Sequence, residues 1–294
     1  MRVKFITCIY SDLYGTDLGG RHCRYHHYRF SLLSLLKMTN ADFLCYTSDR
    51  EMESLKSFFY IENEVSETKL KFEIFDLNNS KFNVLINSIK NIEETKKSDR
   101  CIEIQYSKFS WWWNEDKSYD YYYWIDAGLS YNGLIPATYL NSTDNPRKYY
   151  ESDLFNNLFL EILIKETNDK FLIIGKENQR NHWSKTLDPK WYNEYRLDIH
   201  IIGGLFGGHR DKWDNIVNIF EKYVATVLPE DKCTPHEELI MSLMYYNYTE
   251  LFMVKQFDIW WPNKDVAPQG LSDELFATNK SFYKILEEFN GIYE

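Results

Sequence analysis

The stretch that decides the fold is Asp120-Tyr-Tyr-Tyr-Trp-Ile-Asp-Ala-Gly-Leu-Ser130. Its centre, from Tyr121 to Ile125, is an unbroken run of aromatic and β-branched residues, which predicts a strand buried on both faces. The run stops at Asp126, which places a carboxylate at the carboxyl end of the strand. Ligands bind at that end of the strands in an open α/β sheet. Asp126 therefore either faces a ligand crevice or caps a turn beside Gly128.

The segments before this stretch alternate between strand and helix patterns. Val3 to Tyr10 is hydrophobic throughout and predicts a central strand, Tyr25 to Met38 has apolar residues at helical spacing, and Phe43 to Thr47 predicts a second strand. Such alternation predicts βαβ units and a largely parallel sheet, so the fold class is α/β. If the first strand is parallel to the Asp126 strand, the glycine-bearing loop Ser11 to Gly20 lies at the same edge of the sheet.

Later segments continue this pattern. The other predicted elements are a strand at Lys71 to Phe75, a helix at Ile104 to Trp113, a helix at Leu154 to Ile164, a strand at Phe171 to Gly175, a strand at Gly203 to Gly208 followed by an amphipathic helix, and a terminal helix at Lys280 to Phe289. The three consecutive tryptophans at 111–113 predict core packing rather than a sugar-binding platform.

Length and composition exclude several classes of protein. The chain has 294 residues, of which 44% are hydrophobic and 17% aromatic, enough for one large α/β domain or two small ones. The net charge is -10 and no Lys/Arg tract occurs, which argues against nucleic-acid binding. The five cysteines are scattered without a C-x-x-C pair, which argues against a disulfide framework and a zinc site. With no signal-peptide pattern and no long apolar segment, we expect a soluble, cytoplasmic protein.

Two pairs of glycines, Gly203-Gly204 and Gly207-Gly208, stand in the segment His200 to Arg210. Because glycine lacks a β-carbon, each pair allows another group to approach the backbone closely. The spacing is not that of a dinucleotide-binding fingerprint, and no acidic residue follows at the required distance.

The segment Thr234-Pro-His-Glu-Glu238 has the pattern of a helix start. Thr234 and Glu237, three residues apart, form a capping box, and Pro235 suits the first helical position. This gives Glu237 a structural role and leaves Glu238 without one. A carboxylate in a first turn is kept ionised by the helix dipole and can act as a base or stabilise a cation. Alternatively, Glu238 is present only because the dipole favours acidic residues there.

Three basic residues are candidates for binding an anion. Arg21 and Arg24 belong to a basic cluster directly after the glycine-bearing loop, where they either hold a diphosphate or are solvated loop residues. Lys108, on the helix before the Asp126 strand, either reaches a ligand or lies on the surface.

These motifs together resemble the HtrL/YibB-like proteins of bacterial surface-polysaccharide gene clusters and, more broadly, glycosyltransferases of the GT-A fold. The likeness rests on Trp124-Ile-Asp-Ala-Gly128, Gly203-Gly-Leu-Phe-Gly-Gly208 and Thr234-Pro-His-Glu-Glu-Leu-Ile-Met241, and it spans about residues 3 to 262. It implies a single GT-A-like (Rossmann-like) domain over 1-294, with a mostly parallel central sheet flanked by helices. Residues 1-130 would be the nucleotide-binding half and residues 131-294 the acceptor and catalytic half.

The resemblance also bears on metal binding. In GT-A enzymes an Asp-x-Asp motif ends the strand beside the sugar nucleotide, and its second Asp ligates Mn²⁺ or Mg²⁺. Asp126 takes the first place here, but Gly128 stands where the second Asp belongs. Either Asp126 alone holds the ion, or the basic residues named above neutralise the diphosphate.

The implied function is transfer of a sugar from a nucleotide-sugar donor, a UDP-sugar, to a surface polysaccharide or a lipid-linked glycan, with peripheral membrane association as one option. His236-Glu237-Glu238 is similar to the His-Asp-Glu of blood-group type galactosyl- and N-acetylgalactosaminyltransferases. This gives Glu238 the role of nucleophile, or of base in inverting relatives. The implied site consists of catalytic Glu238 and Glu237, donor-binding Thr7, Tyr10, Arg21, Arg24, Lys108, Asp126, Ala127 and Gly128, and acceptor- or sugar-binding Gly203, Gly204, His236, Trp260 and Trp261.

Two other functions remain open at this point. A sugar nucleotidyltransferase would need a lysine in the glycine-bearing loop from Ser11 to Gly20, which has none. A non-catalytic carbohydrate-binding protein would tolerate the loss of Glu238. A glycoside hydrolase fits less well, because its two carboxylates need no nucleotide pocket.

Overall fold

The computed structural model describes residues 1-10, 22-80, 82, 99-127, 157-177, 199-231 and 237-256. Within them, strands form one central sheet with helices packed against it, which confirms the predicted α/β class. The strands are β1 (Val3–Cys8), β2 (Asp42–Thr47), β3 (Leu70–Ile74), β4 (Tyr121–Ile125), β5 (Phe171–Glu177), β6 (Ile199–His209) and β7 (Phe252–Gln256). The helices are α1 (His22–Met38), α2 (Asp49–Lys56), α3 (Asp99–Ser110), α4 (Asn157–Glu166), α5 (Arg210–Asp231) and α6 (Glu237–Asn247).

The sheet is mostly parallel. Its strand order is β3-β2-β1-β4-β6-β5-β7, and among these strands only β6 runs against its neighbours, β4 and β5. The other neighbouring pairs are all parallel. Because β1 is parallel to β4, the two strands end at the same edge of the sheet, as the sequence predicts. The loop that follows β1 lies outside the described residues.

β4 lies in the middle of the sheet, and all of its side chains are buried. Alternate side chains point to opposite faces and join two separate hydrophobic clusters, as a strand buried on both faces requires. On one face Trp124 stacks on Trp111, with ring centroids 4.8 Å apart. Trp111 and Trp112 are both buried, which confirms core packing for them, whereas Trp113 is 40% exposed.

Two helices of the structure differ from the prediction. The helix expected at Ile104 to Trp113 begins earlier, at Asp99, and gives way after Ser110 to a 3-10 turn, Trp111–Asn114. The sequence pattern also did not indicate α2, because Asp49–Lys56 is short and dominated by charged residues. Its few apolar side chains are too sparse to show a helical period by themselves.

No helix in the described ranges is both long and apolar enough to cross a bilayer. The terminal helix predicted at Lys280 to Phe289 falls outside those ranges.

Lys69, just before β3, gives a testable pH dependence. Burial lowers the pKa of Lys69 from 10.5 to about 8, although the attraction of Asp42 opposes this shift. Between about pH 8 and 10.5 the unfolded chain therefore binds more protons than the folded chain, so the free energy of unfolding rises with pH. In the Lys69→Met variant we expect about 1 kcal/mol of that rise to disappear, a value reduced for the solvent screening of a half-buried side chain. Urea unfolding of both proteins across this window measures it, and identical pH profiles would contradict it.

Candidate active site

Asp126 lies at the carboxyl edge of the sheet, directly after β4, as predicted. Its backbone N–H donates to the carbonyl of Gly204 on β6 at 2.8 Å. Its Oδ1 accepts a hydrogen bond from Trp124 Nε1 at 2.7 Å and lies 3.2 Å from Lys108 Nζ. The side chain is 43% exposed. Asp126 is therefore held in place on one side and accessible from the other.

Lys108, on α3, is buried at the centre of the site. Its Nζ donates to Glu237 Oε1 at 2.8 Å and to the carbonyl of Gly203 at 2.9 Å, and it pairs with Asp126 Oδ1 at 3.2 Å. An ammonium group has three N–H donors, of which two are used in these hydrogen bonds, and its charge is also paired with Asp126. The surface-lysine alternative is therefore wrong. The predicted contact with the donor is not favoured either, because Lys108 is buried and Glu237, Gly203 and Asp126 already surround its Nζ.

The charges of this cluster depend on one another. Burial by itself would lower the pKa of Lys108, but the attraction of Asp126, Glu237 and Glu238 outweighs it and holds that pKa above the ordinary lysine value. Burial raises the pKa of Glu237, and Lys108 opposes that rise. Lys108 thus remains an ammonium ion at neutral pH, and its charge allows several carboxylates to lie close together.

A bulge in β6 explains how the backbone of Gly203 contacts both Lys108 and α6. Ile173 of β5 pairs with Phe206, whereas the next residue, Ile174, pairs with Ile202, so residues 203–205 of β6 fall between two successive β5 positions. A bulge turns backbone groups out of the regular ladder and is common beside active sites. Here the Gly203 carbonyl accepts from Lys108, and the Gly203 N–H donates to a carboxylate of α6.

The absence of a side chain at Gly203 is required by the ion pair beside it. A β-carbon at this position would lie 2.4 Å from Glu237 Oε1 and 3.2 Å from Lys108 Nζ. The sequence-based interpretation that this glycine permits close approach is therefore confirmed, with Glu237 and Lys108 as the approaching groups.

Glu237 and Glu238, in the first turn of α6, have different surroundings. Glu237 is buried and paired with Lys108. Glu238 is half-buried, and its Oε1 accepts from the Gly203 N–H at 3.0 Å. The expectation that Glu238 has no structural partner is therefore wrong. Thr234 and Pro235 of the predicted capping box lie outside the described residues.

Ser242 also belongs to this arrangement, although the sequence did not identify it. Its hydroxyl donates to the Glu238 backbone carbonyl at 2.7 Å and accepts from the Ile201 N–H at 3.1 Å. It therefore joins α6 to β6 next to the bulge. The available signal was its spacing, since residues four apart lie on the same helix face.

The other predicted site residues are less informative. Thr7 and Tyr10 are enclosed in the interior, and Tyr10 donates its hydroxyl to the Phe75 carbonyl, a placement that does not favour donor contact. Ala127 is buried next to Asp126. Arg24 belongs to α1, but its side chain is not among those described. The predicted residues outside the described ranges are Arg21, Gly128, His236, Trp260 and Trp261.

The described side chains do not fit the divalent metal that the Asp-x-Asp resemblance raises. In the described part of the chain, no three His, Cys, Asp or Glu side chains are grouped to hold a metal ion. Asp126 Oδ1 already faces the Lys108 ammonium. A divalent ion about 4 Å from that ammonium would meet a repulsion of roughly 8 kcal/mol at an effective dielectric constant of about 20.

Comparison with known proteins gives a likeness of fold alone. No protein-family model and no curated protein sequence matches the chain. Mouse xyloside xylosyltransferase 1, in its apo form, is 11% identical with a TM-score of 0.50, over 95% of this chain and 94% of that chain. A 4-diphosphocytidyl-2C-methyl-D-erythritol synthase from Anaerococcus prevotii DSM 20548 is 10% identical with a TM-score of 0.39, over 95% and 96%. The likeness to the xylosyltransferase confirms the predicted GT-A-like architecture, as a fold.

Proposed function

We propose that this protein is a glycosyltransferase that moves a sugar from a nucleotide-sugar donor, a UDP-sugar, to a surface polysaccharide or a lipid-linked glycan. One observation carries the proposal. Asp126 and Glu238, more than a hundred residues apart in the sequence, are joined through Lys108 and Gly203 into one bonded cluster at the carboxyl edge of β4. This is the edge at which open α/β sheets bind their ligands.

Asp126 and Glu238 are assigned different roles in this proposal. Asp126 is accessible at the end of β4, and we assign it to the donor. Glu238 is the more exposed of the two α6 carboxylates and is assigned to the reacting carbon. Glu237 is enclosed and paired with Lys108, so we assign it a positioning role instead of the catalytic role expected from the sequence.

One bond change is common to both stereochemical outcomes. The bond from the anomeric carbon to the nucleoside diphosphate breaks, and its electron pair leaves with the diphosphate. In direct transfer the acceptor oxygen bonds to that carbon while Glu238 takes the hydroxyl proton. In a two-step transfer Glu238 itself bonds to the carbon first. The acceptor oxygen then displaces it, and the hydroxyl proton of the acceptor passes to the released diphosphate. Both routes need the Glu238 carboxylate to be ionised and accessible.

The Glu238→Gln variant tests this proposal. The amide keeps the size of the side chain and can still accept from the Gly203 N–H, but it cannot act as a base or nucleophile. We expect the variant to release UDP at least about a hundredfold more slowly from the UDP-sugar that the wild type uses as donor. Binding of this UDP-sugar, measured by thermal shift, should be retained. Glu250→Gln, in the exposed turn Thr249–Leu251, is the matched control and should keep wild-type activity.

Two results would contradict the proposal. If no nucleoside diphosphate or nucleotide sugar stabilises the wild-type protein, the donor assignment is wrong. If Glu238→Gln binds and turns over the nucleotide like the wild type, Glu238 is not the reacting group. If the wild type binds the nucleotide sugar but never releases UDP from it, the non-catalytic carbohydrate-binding alternative is favoured. Membership of the HtrL/YibB-like group, the acceptor and a cytoplasmic location remain predictions from the sequence.

A further inference from the structure

The surroundings of Lys108 Nζ have the composition of a cation site. Three oxygen atoms lie around it: Glu237 Oε1 at 2.8 Å, the Gly203 carbonyl at 2.9 Å and Asp126 Oδ1 at 3.2 Å. All three are hard oxygen ligands of the kind that Ca²⁺, Mg²⁺ and Mn²⁺ prefer in proteins. They come from α6, β6 and the end of β4, so the three elements converge on one point.

Two further observations indicate that this point requires a positive charge. The carboxylates of Asp126, Glu237 and Glu238 all act on Lys108, so one ammonium serves three acidic groups. The second oxygen of Glu237, Oε2, is buried and has no hydrogen-bond partner among the described residues. A buried carboxylate in that condition is strongly destabilising unless a cation stays beside it.

We propose that Lys108 is a built-in cation, which occupies an all-oxygen site and performs there the charge-balancing that a divalent metal would perform. Removing its side chain converts the site into one that binds a divalent metal ion through Asp126, Glu237 and the Gly203 carbonyl. The proposal concerns the site of the proposed function, but its test uses neither donor nor acceptor, so each can fail without the other.

Mn²⁺ is the probe for the test, because free and bound Mn²⁺ are distinguished by electron paramagnetic resonance. Full-length wild-type protein and the Lys108→Ala variant are titrated with MnCl₂ in the absence of nucleotide. We expect at least about tenfold tighter Mn²⁺ binding by Lys108→Ala than by the wild type, as loss of a like charge at close range predicts. We also expect Mn²⁺ to raise the melting temperature of the variant but not that of the wild type.

Two more variants make the test specific. Lys117→Ala removes an exposed lysine that pairs with Asp214 on the surface, and it should bind Mn²⁺ no better than the wild type. Adding Asp126→Asn to Lys108→Ala should abolish the gained affinity, because it removes one of the three oxygen ligands in its charged form.

Several outcomes would overturn the proposal. Saturable Mn²⁺ binding to the wild type that Asp126→Asn abolishes would show that the metal and Lys108 coexist. A folded Lys108→Ala variant with no gain in Mn²⁺ affinity would show that the oxygens do not form a cation site. If Lys108→Ala is unfolded without metal, refolding on addition of Mn²⁺, read by circular dichroism, supports the proposal, and failure to refold counts against it.

Discussion

Replacing Gly207 with alanine is expected to lower the free energy of unfolding by about 3 to 5 kcal/mol. Gly207 lies in β6 with a φ of 151°, a backbone conformation that residues with a β-carbon rarely adopt. An added β-carbon would lie 2.3 Å from the Tyr122 carbonyl oxygen and 2.6 Å from Tyr123 Cα. Both atoms belong to the backbone of β4, so neither can move without disturbing the strand that ends at Asp126.

Gly208, the next residue in the same strand, is the matched control. A β-carbon there would meet the Lys170 carbonyl oxygen at 3.2 Å and Phe171 Cα at 3.5 Å, contacts that a shift of a few tenths of an ångström relieves. We expect Gly208→Ala to stay within about 1 kcal/mol of the wild type. Guanidinium unfolding followed by tryptophan fluorescence measures both variants. Equal losses would mean that neither the backbone conformation of Gly207 nor its contact with β4 determines the cost.

The fold could largely be predicted from the sequence because its deciding signal is local. The run Tyr121–Ile125 consists entirely of aromatic and β-branched residues, which is typical of a strand covered on both faces. α2 could not be predicted in the same way, since its stability depends on burying three side chains of a mostly charged segment against the sheet. The reversal of β6 relative to its neighbours was not visible either, because a strand pattern carries no direction.

Several residues of the candidate site could be predicted from the sequence, but not their arrangement. Asp126, Lys108, Gly203, Glu237 and Glu238 were all identified from local patterns, yet their bonds to one another connect positions up to 129 residues apart. The capping pattern led to the interpretation that Glu237 is structural and Glu238 unoccupied. The partner of Glu238 depends on the bulge in β6, where the Gly203 N–H donates to this carboxylate. Glycines in a strand can mark a bulge, but they do not indicate which groups will bond to it.

Replacing Lys108 with methionine is expected to lower the free energy of unfolding by about 3 to 5 kcal/mol. Methionine matches the length and apolar stem of lysine, so packing is largely preserved and the change isolates the charge. Its removal leaves Glu237 buried beside Asp126 and Glu238 without the ammonium that balances them. The control Lys117→Met breaks an exposed pair and should cost less than about 1 kcal/mol.

A double-mutant cycle identifies the source of that loss. If the loss comes from an uncompensated buried charge, adding Glu237→Gln to Lys108→Met should recover at least about 1 kcal/mol, because the amide carries no charge. Glu237→Gln alone, with Lys108 still present, should be destabilising. The same substitution should therefore stabilise the Lys108→Met variant and destabilise the wild type. Urea unfolding of the four proteins gives the coupling energy directly. If the two losses simply add, Lys108 contributes through packing, and the charge balance that we assign to it does not exist.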